Sequence, residues 1–314
     1  MKIIERIEIE RILPSLDLMT IIADGFIAYS DRRVEIPPVG EMSFQNPPGD
    51  VHIKYGYIKG GDYYVIKIAS GFYNNPQIGL PSSMGMMLLF NQKTGQLFST
   101  LLDDGLLTQV RTAIAGAISA KYLANKDIEY IGIVGTGTQA KIQLRYLKNV
   151  TDCRNVVVWG IEETDTYKNL MQAEGFSVQI AKTTTELAKI CSLIVTTTPS
   201  REPLLWHKDI QPGTHITAVG ADTAYKQELD STILAHADLV VADSIAQCQH
   251  RGEIYKAITA QNLATESLLE LGNIVSGKIK GRTSPDQITV ADLTGVAVQD
   301  LQISKAVYEA IMNK

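Results

Sequence analysis

Apolar positions change period along the chain, and the change divides it. Leu16 to Tyr29 carries apolar residues at helical spacing, with Leu18, Ile21, Ile22 and Phe26 on one face. After a Pro-rich loop (Pro37, Pro38, Pro47, Pro48), Val51–Ile58 and Tyr63–Ala69 alternate as strands around a Lys59-Gly60-Gly61 turn. Met86–Phe90 and Gln96–Leu102 form a second pair around Lys93-Thr94-Gly95. Leu107–Leu123 is a long helical pattern rich in Ala and Gly, and its small residues permit close packing against another backbone. Beyond it come short β-rich runs: Tyr130–Val134, Asn155–Trp159, Ser177–Ala181, Leu193–Thr197, His215–Val219 and Leu239–Ala242. Helical patterns such as Gln139–Leu147 and Thr185–Ile190 lie between most of them, and Ile303–Met312 is a final amphipathic helix. Strands alternating with helices predict βαβ units and a parallel sheet covered on both faces.

The expected fold class is therefore α/β: a Rossmann-type doubly wound parallel sheet plus an α+β domain. The junction is placed near Asn125-Lys126-Asp127. Residues 1–124, with the C-terminal helix of about 300–314, form the first domain, and 125–299 the second. A length of 314 residues agrees with about two domains at roughly 150 residues each. No repeat or low-complexity segment interrupts the pattern.

Composition removes several classes. At 45% hydrophobic and 20% charged residues the chain is ordinary for a globular protein. A net charge of -5 with no Lys/Arg run gives no nucleic-acid footprint. Cys153, Cys191 and Cys248 are far apart and odd in number, so neither a disulfide scaffold nor a zinc site is expected. His207, His215, His236 and His250 lack ligand spacing, and no metal is expected. The N-terminus alternates charged and apolar residues, unlike a secretory signal. No uncharged stretch is long enough to span a bilayer. The expectation is a cytoplasmic protein without a membrane or nucleic-acid partner.

The chemistry-bearing motif is Gly135-Thr136-Gly137-Thr138-Gln139-Ala140. It follows an apolar strand, opens a helix and heads a run of βαβ units. Gly135 suits the tight turn, Gly137 lets the backbone approach a pyrophosphate, and Ala140 allows helix–strand packing. The helix N-terminus then offers free N–H groups to phosphate. Trp159-Gly160-Ile161-Glu162-Glu163 ends the next strand. With no Arg nearby and two glutamates to repel a 2′-phosphate, it favours NAD(H) over NADP(H); the glutamates could equally be a solvated loop.

Four blocks together resemble the ornithine cyclodeaminase/mu-crystallin family over nearly the whole chain. They are Lys67-Ile68-Ala69-Ser70-Gly71-Phe72 with Asn75; Leu107-Thr108-Gln109-Val110-Arg111-Thr112-Ala113; the glycine turn; and Val219-Gly220-Ala221-Asp222 followed by Lys226, Glu228, Leu229 and Asp230. The resemblance implies a Rossmann domain with a substrate domain that also dimerises, hence a homodimer. It implies that Lys67 contacts a substrate carboxylate and that Arg111 lies between substrate and cofactor. It also places Asp222 at the reacting centre, with Lys226 just after it. It puts Ser82, Arg111, Thr112, Gly135, Thr136, Gly137, Thr138, Gln139, Glu162, Thr197, Thr198, Val219 and Thr294 at cofactor-lining positions.

Two departures bear on substrate. The family's loop arginine is missing from Pro37-Pro38-Val39-Gly40-Glu41. His52 stands about where the ornithine cyclodeaminases carry a glutamate, with Lys54 two residues on. His and Lys in place of an acid are electrostatically wrong for a cationic side chain, and Lys54 would replace the lost loop charge. The strand is most similar to those of the ketimine reductases. The expected activity is NAD(P)H-dependent reduction of a cyclic ketimine carboxylate, 1-pyrroline-2-carboxylate to L-proline, with the piperideine homologue as a further substrate. The alternatives are an alanine- or iminosuccinate-type dehydrogenase, an ornithine cyclodeaminase, and a mu-crystallin-like ligand-binding protein. From the residues alone, Lys54 and Lys67 also suit surface lysines. Asp222 equally suits a helix cap, Lys226 could be exposed, and His52 a satisfied strand histidine.

Overall fold

In the computed structural model, residues 1–72 and 74–313 are described, so the last residue of the expected 300–314 helix lies outside them. The chain falls into two compact units: Met1–Arg111 with the chain from Val296 on, and Thr112–Gly295. The division falls inside a helix at 111/112 and just ahead of the last helix at 295/296, where 124/125 and 299/300 were expected.

The first unit begins with β1 (Lys2–Glu5), α1 (Arg6–Ile12) and α2 (Leu18–Ser30). It continues with β2 (Val34–Glu35), β3 (Gly40–Gln45), β4 (Pro48–Ile58), β5 (Tyr63–Gly71), β6 (Ser83–Asn91), β7 (Leu97–Leu102) and the start of α3 (Leu106–Leu123). One sheet runs β1-β7-β6-β5-β4-β2, with β3 also pairing β4. Only β1 pairs in parallel; the other pairings are antiparallel. The stretch expected as a Pro-rich loop is largely strand. β3 pairs β4 from Gly40↔Ile53 to Gln45↔Pro48, and proline, which lacks a backbone donor, sits where β4 begins.

A C-terminal helix, Ala297–Met312, packs on β4 and β5 and crosses α2. Close passage occurs at Gly25, where a Cβ would meet Gln302 Cγ at 3.1 Å. Gln302 Nε2 donates to the Ile21 carbonyl at 2.9 Å. Ile4, Ile9, Ile22, Phe26, Met87, Leu89 and Leu101 are fully buried in this unit. Each such side chain contributes about 1.5–3 kcal/mol by leaving water. The helix begins six residues before the expected Ile303.

The second unit is an eight-stranded, wholly parallel sheet. Its first half is β8 (Ile131–Val134), α4 (Thr138–Leu147), β9 (Asn155–Trp159), α5 (Thr164–Ala173), β10 (Ser177–Ile180), α6 (Thr184–Ile190) and β11 (Leu193–Thr196). Next come β12 (His215–Ala218), α7 (Ser231–His236), β13 (Leu239–Ala242), α8 (Ile245–Cys248) and α9 (Gly252–Thr259). It closes with β14 (Leu269–Glu270), α10 (Leu271–Val275) and β15 (Thr289–Asp292). The order is β10-β9-β8-β11-β12-β15-β13-β14. Strand order reverses between β8 and β11, the place where open α/β sheets take ligands at their carboxyl ends. β8, β11, β12 and β15 are buried throughout, as a sheet covered on both faces requires. Thr112–Leu123 belongs to this unit: Gly116 lies so near α4 that a Cβ would overlap Gln143 Oε1.

Candidate active site

In the first unit the polar residues of β4 point inward. Asp50, His52 and Lys54 are all buried, while Tyr55 is exposed on the opposite face. The alternation follows from the strand period of two. Antiparallel register puts Lys54 directly across from Lys67, and His52 across from Ala69. Lys67 is 2% exposed and Lys54 5%, so the surface-lysine reading fails for both. A buried ammonium is costly unless compensated. Lys67 Nζ lies 3.8 Å from Asp300 Oδ2 on the C-terminal helix. Arg111, 4% exposed on α3, donates from Nε to Asp300 Oδ1 at 3.0 Å and from Nη1 to Gln299 Oε1 at 2.7 Å. His52 Nε2 lies 3.5 Å from Asp50 Oδ1.

Asp300, Gln299 and Asp50 were not legible as site residues. The signal for the first two was present: two polar residues inside Ala297-Val298-Gln299-Asp300-Leu301, where their neighbours are all buried. Nearby, Asp103 caps α3 by accepting the Leu107 N–H at 2.7 Å. Burial, with the Asp300 charge adding to it, pushes this carboxyl up to about 6.

In the second unit the glycine turn lies at the carboxyl end of β8. Gly135 has φ +113, a conformation reserved in practice for glycine, and a Cβ there would sit 2.6 Å from Thr197 Oγ1. Gly137 caps the ten-residue α4, and a Cβ on it would meet nothing within 4 Å. Its missing side chain thus leaves open space at the helix N-terminus, the cradle a pyrophosphate needs. Thr138 and Gln139 open α4; Gln143 Nε2 bridges Gln139 Oε1 (3.3 Å) and the Thr112 carbonyl (3.2 Å). Thr136 Oγ1 donates to the Glu162 carbonyl at 2.9 Å, tying the turn to the loop after β9, where Glu162 and Glu163 are exposed.

Thr197 donates from N and Oγ1 to the Val134 carbonyl at 2.9 and 3.1 Å. The Val219 N–H reaches the Thr196 carbonyl at 3.0 Å. Thr294, after β15, donates to Asp243 Oδ1 at 3.2 Å. Thr136, Gly137, Thr197, Val219 and Thr294 therefore follow the carboxyl ends of β8, β11, β12 and β15, which are neighbours in the sheet. Ser82 is exposed and belongs to the first unit.

Asp222 follows β12. Lys226 Nζ donates to its Oδ1 at 2.7 Å, and Arg251 Nη1 donates to its carbonyl at 3.2 Å. Asp222 caps no helix, since α7 begins at Ser231 behind the cap Asp230. Lys226 is 8% exposed, so its exposed reading fails too. Among the described residues no group of His, Cys, Asp and Glu could hold a metal ion. No single helix there is long and apolar enough to cross a membrane.

A glycine cradle at the switch point of a doubly wound sheet, on a chain with a second, mixed-sheet unit, defines a Rossmann-type oxidoreductase with a nicotinamide cofactor. The chain belongs to the ornithine cyclodeaminase/mu-crystallin family, whose model matches residues 1–314. It is 38% identical over 315 residues to an uncharacterized cyclodeaminase of Sinorhizobium fredii, covering 98% of this chain and 95% of that one. Among solved structures, an archaeal alanine dehydrogenase dimer with bound NAD is 32% identical, with a TM-score of 0.90 and coverage of 99% and 96%. The Δ1-pyrroline-2-carboxylate reductase of Thermococcus litoralis, in complex with NADH and L-proline, is 25% identical, with a TM-score of 0.93 and coverage of 100% and 98%.

Proposed function

We propose that the protein is an imine reductase that converts 1-pyrroline-2-carboxylate to L-proline with NADH. The observation that carries the reading is the burial of Lys54, Lys67 and Arg111, with Lys67 facing Lys54 across the strands and both Lys67 and Arg111 set against Asp300. Buried in this unit are the cations Lys54, Lys67 and Arg111 and the acids Asp50, Asp103 and Asp300. A cationic ornithine side chain would add a further positive charge beside these cations.

Reduction of a ketimine acid requires a held carboxylate, a proton for nitrogen and a hydride equivalent for C2. In this reading Lys67 and Arg111 hold the carboxylate through charge-assisted hydrogen bonds, with Lys54 reinforcing them. Asp222 delivers the proton to the imine nitrogen and regains it from solvent before the next turnover, and the Lys226 ammonium stabilises the carboxylate left by the transfer. His52 faces the same side as Lys54 and borders the non-carboxylate part of the substrate. Gly135, Thr136, Gly137 and the α4 N-terminus hold the dinucleotide, with Thr197, Thr198, Val219 and Thr294 beside it. When bound, NADH supplies the hydride equivalent. The exposed Glu162 and Glu163 repel a 2′-phosphate and favour NADH over NADPH.

The protein acts as a homodimer in this reading. Tyr55, Met84 and Met86 are exposed on the outer face of the first unit's sheet, and a second copy would cover them. The related alanine dehydrogenase is a dimer.

The test is loss of reduced-nicotinamide absorbance on mixing the protein with NADH or NADPH and 1-pyrroline-2-carboxylate, with proline identified as product. Asp222→Asn should lose turnover while keeping NADH affinity; full activity in that variant sinks the assignment. A second reading, an alanine-type dehydrogenase, is favoured by the higher identity to the archaeal alanine dehydrogenase. Oxidation of NADH with pyruvate and ammonia, but not with the cyclic imine, would establish it.

A further inference from the structure

Glu228 has no part in the chemistry above, yet its carboxylate holds Gly220, two residues before Asp222. It is fully buried in the second unit, two residues after Lys226. Its carboxylate accepts four hydrogen bonds. Thr198 donates from its backbone N–H at 2.5 Å and from Oγ1 at 2.8 Å. Thr196 Oγ1 donates at 2.8 Å, and the Gly220 N–H donates at 2.8 Å. The Glu228 main chain is fixed as well. Its N–H donates to Glu253 Oε1 at 2.6 Å, and its carbonyl accepts the Leu204 N–H at 2.7 Å.

One carboxylate thus joins three pieces of chain: the end of β11, the end of β12 and the segment bearing Lys226. Gly220 lies tight in this knot, because a Cβ there would stand 2.6 Å from Glu228 Oε2 and closer still to the Thr198 backbone. Residues 220 and 228 are held to each other, and Lys226 closes on Asp222 between them. The result is a ring whose corners are Gly220, Asp222, Lys226 and Glu228. All four partners of the carboxylate are donors, so ionised oxygens suit the knot and a proton or an amide in their place does not. A buried carboxylate is expensive to maintain, and four donors are what offsets the cost. Burial still pushes Glu228 up to about 7.

We infer that Glu228 is a positioning residue for the reaction: by closing residues 220–228 into one ring, it fixes the Asp222–Lys226 pair against the strand ends that carry Thr196 and Thr198. The inference rests on the reading that Asp222 handles the imine proton. A displacement of about 1 Å at such a group costs on the order of 100-fold in rate. The charged groups around the ring are Lys226 and Arg251 beside Asp222, and Glu253 with Asp292 behind Glu228.

The experiment compares the wild type with Glu228→Gln and Glu228→Asp. The glutamine keeps size but turns an NH2 toward one of the donors; the aspartate keeps charge but falls a methylene short. Three quantities are read: kcat with the imine, the dissociation constant of NADH by fluorescence, and the Asp222 titration midpoint by carboxyl 13C NMR, assigned with Asp222→Asn. The expected result for Glu228→Gln is a fall in kcat of about 10–100-fold, with NADH affinity within about threefold of wild type. The Asp222 midpoint should rise by about one pH unit as Lys226 loosens. Glu228→Asp should recover part of both effects.

An unmoved Asp222 midpoint overturns the inference, whether kcat is unchanged or falls in step with NADH binding as a general loss of structure would make it. If the wild type does not reduce the imine at all, the functional reading fails. The NMR midpoint still decides whether Glu228 positions Asp222. Should Glu228→Gln fail to fold, Glu228→Asp carries the same comparison.

Discussion

Arg111 and Asp300, 189 positions apart in sequence, meet as a buried ion pair at 3.0 Å, and Lys67 approaches the other oxygen of the same carboxylate. One acid thereby holds two cations from different elements of the first unit. Removing it leaves both without their counter-charge. Asp300→Asn is expected to lose about 3–5 kcal/mol of unfolding free energy, the usual consequence of breaking one side of a buried pair. Urea denaturation checks this; a loss below about 1 kcal/mol would mean that water already screens the array.

Lys54 and Lys67 should differ in what they do for the substrate, although they face each other. Lys67→Met removes a direct partner of Asp300 as well as the proposed carboxylate ligand, and turnover should fall below detection. Lys54→Met should raise the imine KM by about tenfold or more while kcat changes little, since a hydrogen bond to a charged group contributes about 1.5–3 kcal/mol. Steady-state kinetics on both variants decide; equal effects would remove the distinction.

The two glycines of the turn predict opposite behaviour. Gly135→Ala places a Cβ 2.6 Å from Thr197 Oγ1 at φ +113, so it should destabilise the protein by about 1–3 kcal/mol. Gly137→Ala meets no neighbouring atom and should leave the melting temperature nearly unchanged, yet weaken NADH binding at least tenfold. Thermal melts with and without NADH separate the two. Unchanged coenzyme affinity in Gly137→Ala would move the pyrophosphate away from this turn.

His215 should stay neutral far into acid. It lies fully buried on β12 between Thr289 Oγ1 and Thr217 Oγ1, and burial, aided by the nearby Arg282 charge, pushes it down to about 3. Its folded value lies below its unfolded value of about 6.5. Its stability contribution is therefore complete above that unfolded value and is lost as pH falls toward 3. Imidazole 15N shifts at pH 5 should report a neutral ring; a protonated one would contradict the burial argument.

Asp103 works in the opposite sense. Its folded value of about 6 lies above the unfolded carboxyl value near 3.9, so the folded state holds the proton longer. Stability from this group is greatest at low pH and declines as pH rises through that interval. Asp103→Asn, which can still cap α3, should flatten the pH dependence of unfolding between about pH 4 and 6. An unaltered slope would show that the carboxyl ionises normally.

Much of this was legible in the sequence. Alternation located β4 to β7, and the apolar runs located β8 to β13, within about three residues at most ends. Where the period was ambiguous the reading stopped short. Thr289–Asp292 is too short and too polar to stand out; the partner of the Thr289 hydroxyl, the Leu123 carbonyl, is 166 positions away in sequence. The C-terminal helix was expected from Ile303, which cut off its first turns and with them Gln299 and Asp300. Polar residues in those turns break the amphipathic pattern because they answer Arg111, and no local rule shows a partner so distant in sequence. Lys67 stood out only by resemblance, whereas Arg111 also stood out as a charge inside an apolar, Ala-rich helix; the Asp300 carboxylate is what lets the chain bury both. Glu228 could be quoted in a motif, but its four donors come from two other segments, the ends of β11 and β12.

The two-residue period of β4 also constrains how this protein can diversify. Asp50, His52 and Lys54 can be exchanged one at a time without disturbing Tyr55 or Ile53 on the other side, so ligand preference is open to stepwise change. A single-residue insertion or deletion ahead of them is another matter. It would invert the strand, carry the charges outward, and bring aromatic bulk against the C-terminal helix. Variation among descendants of this sequence should therefore appear at those three codons as replacements, while the length between the β3–β4 turn and Lys59 stays constant.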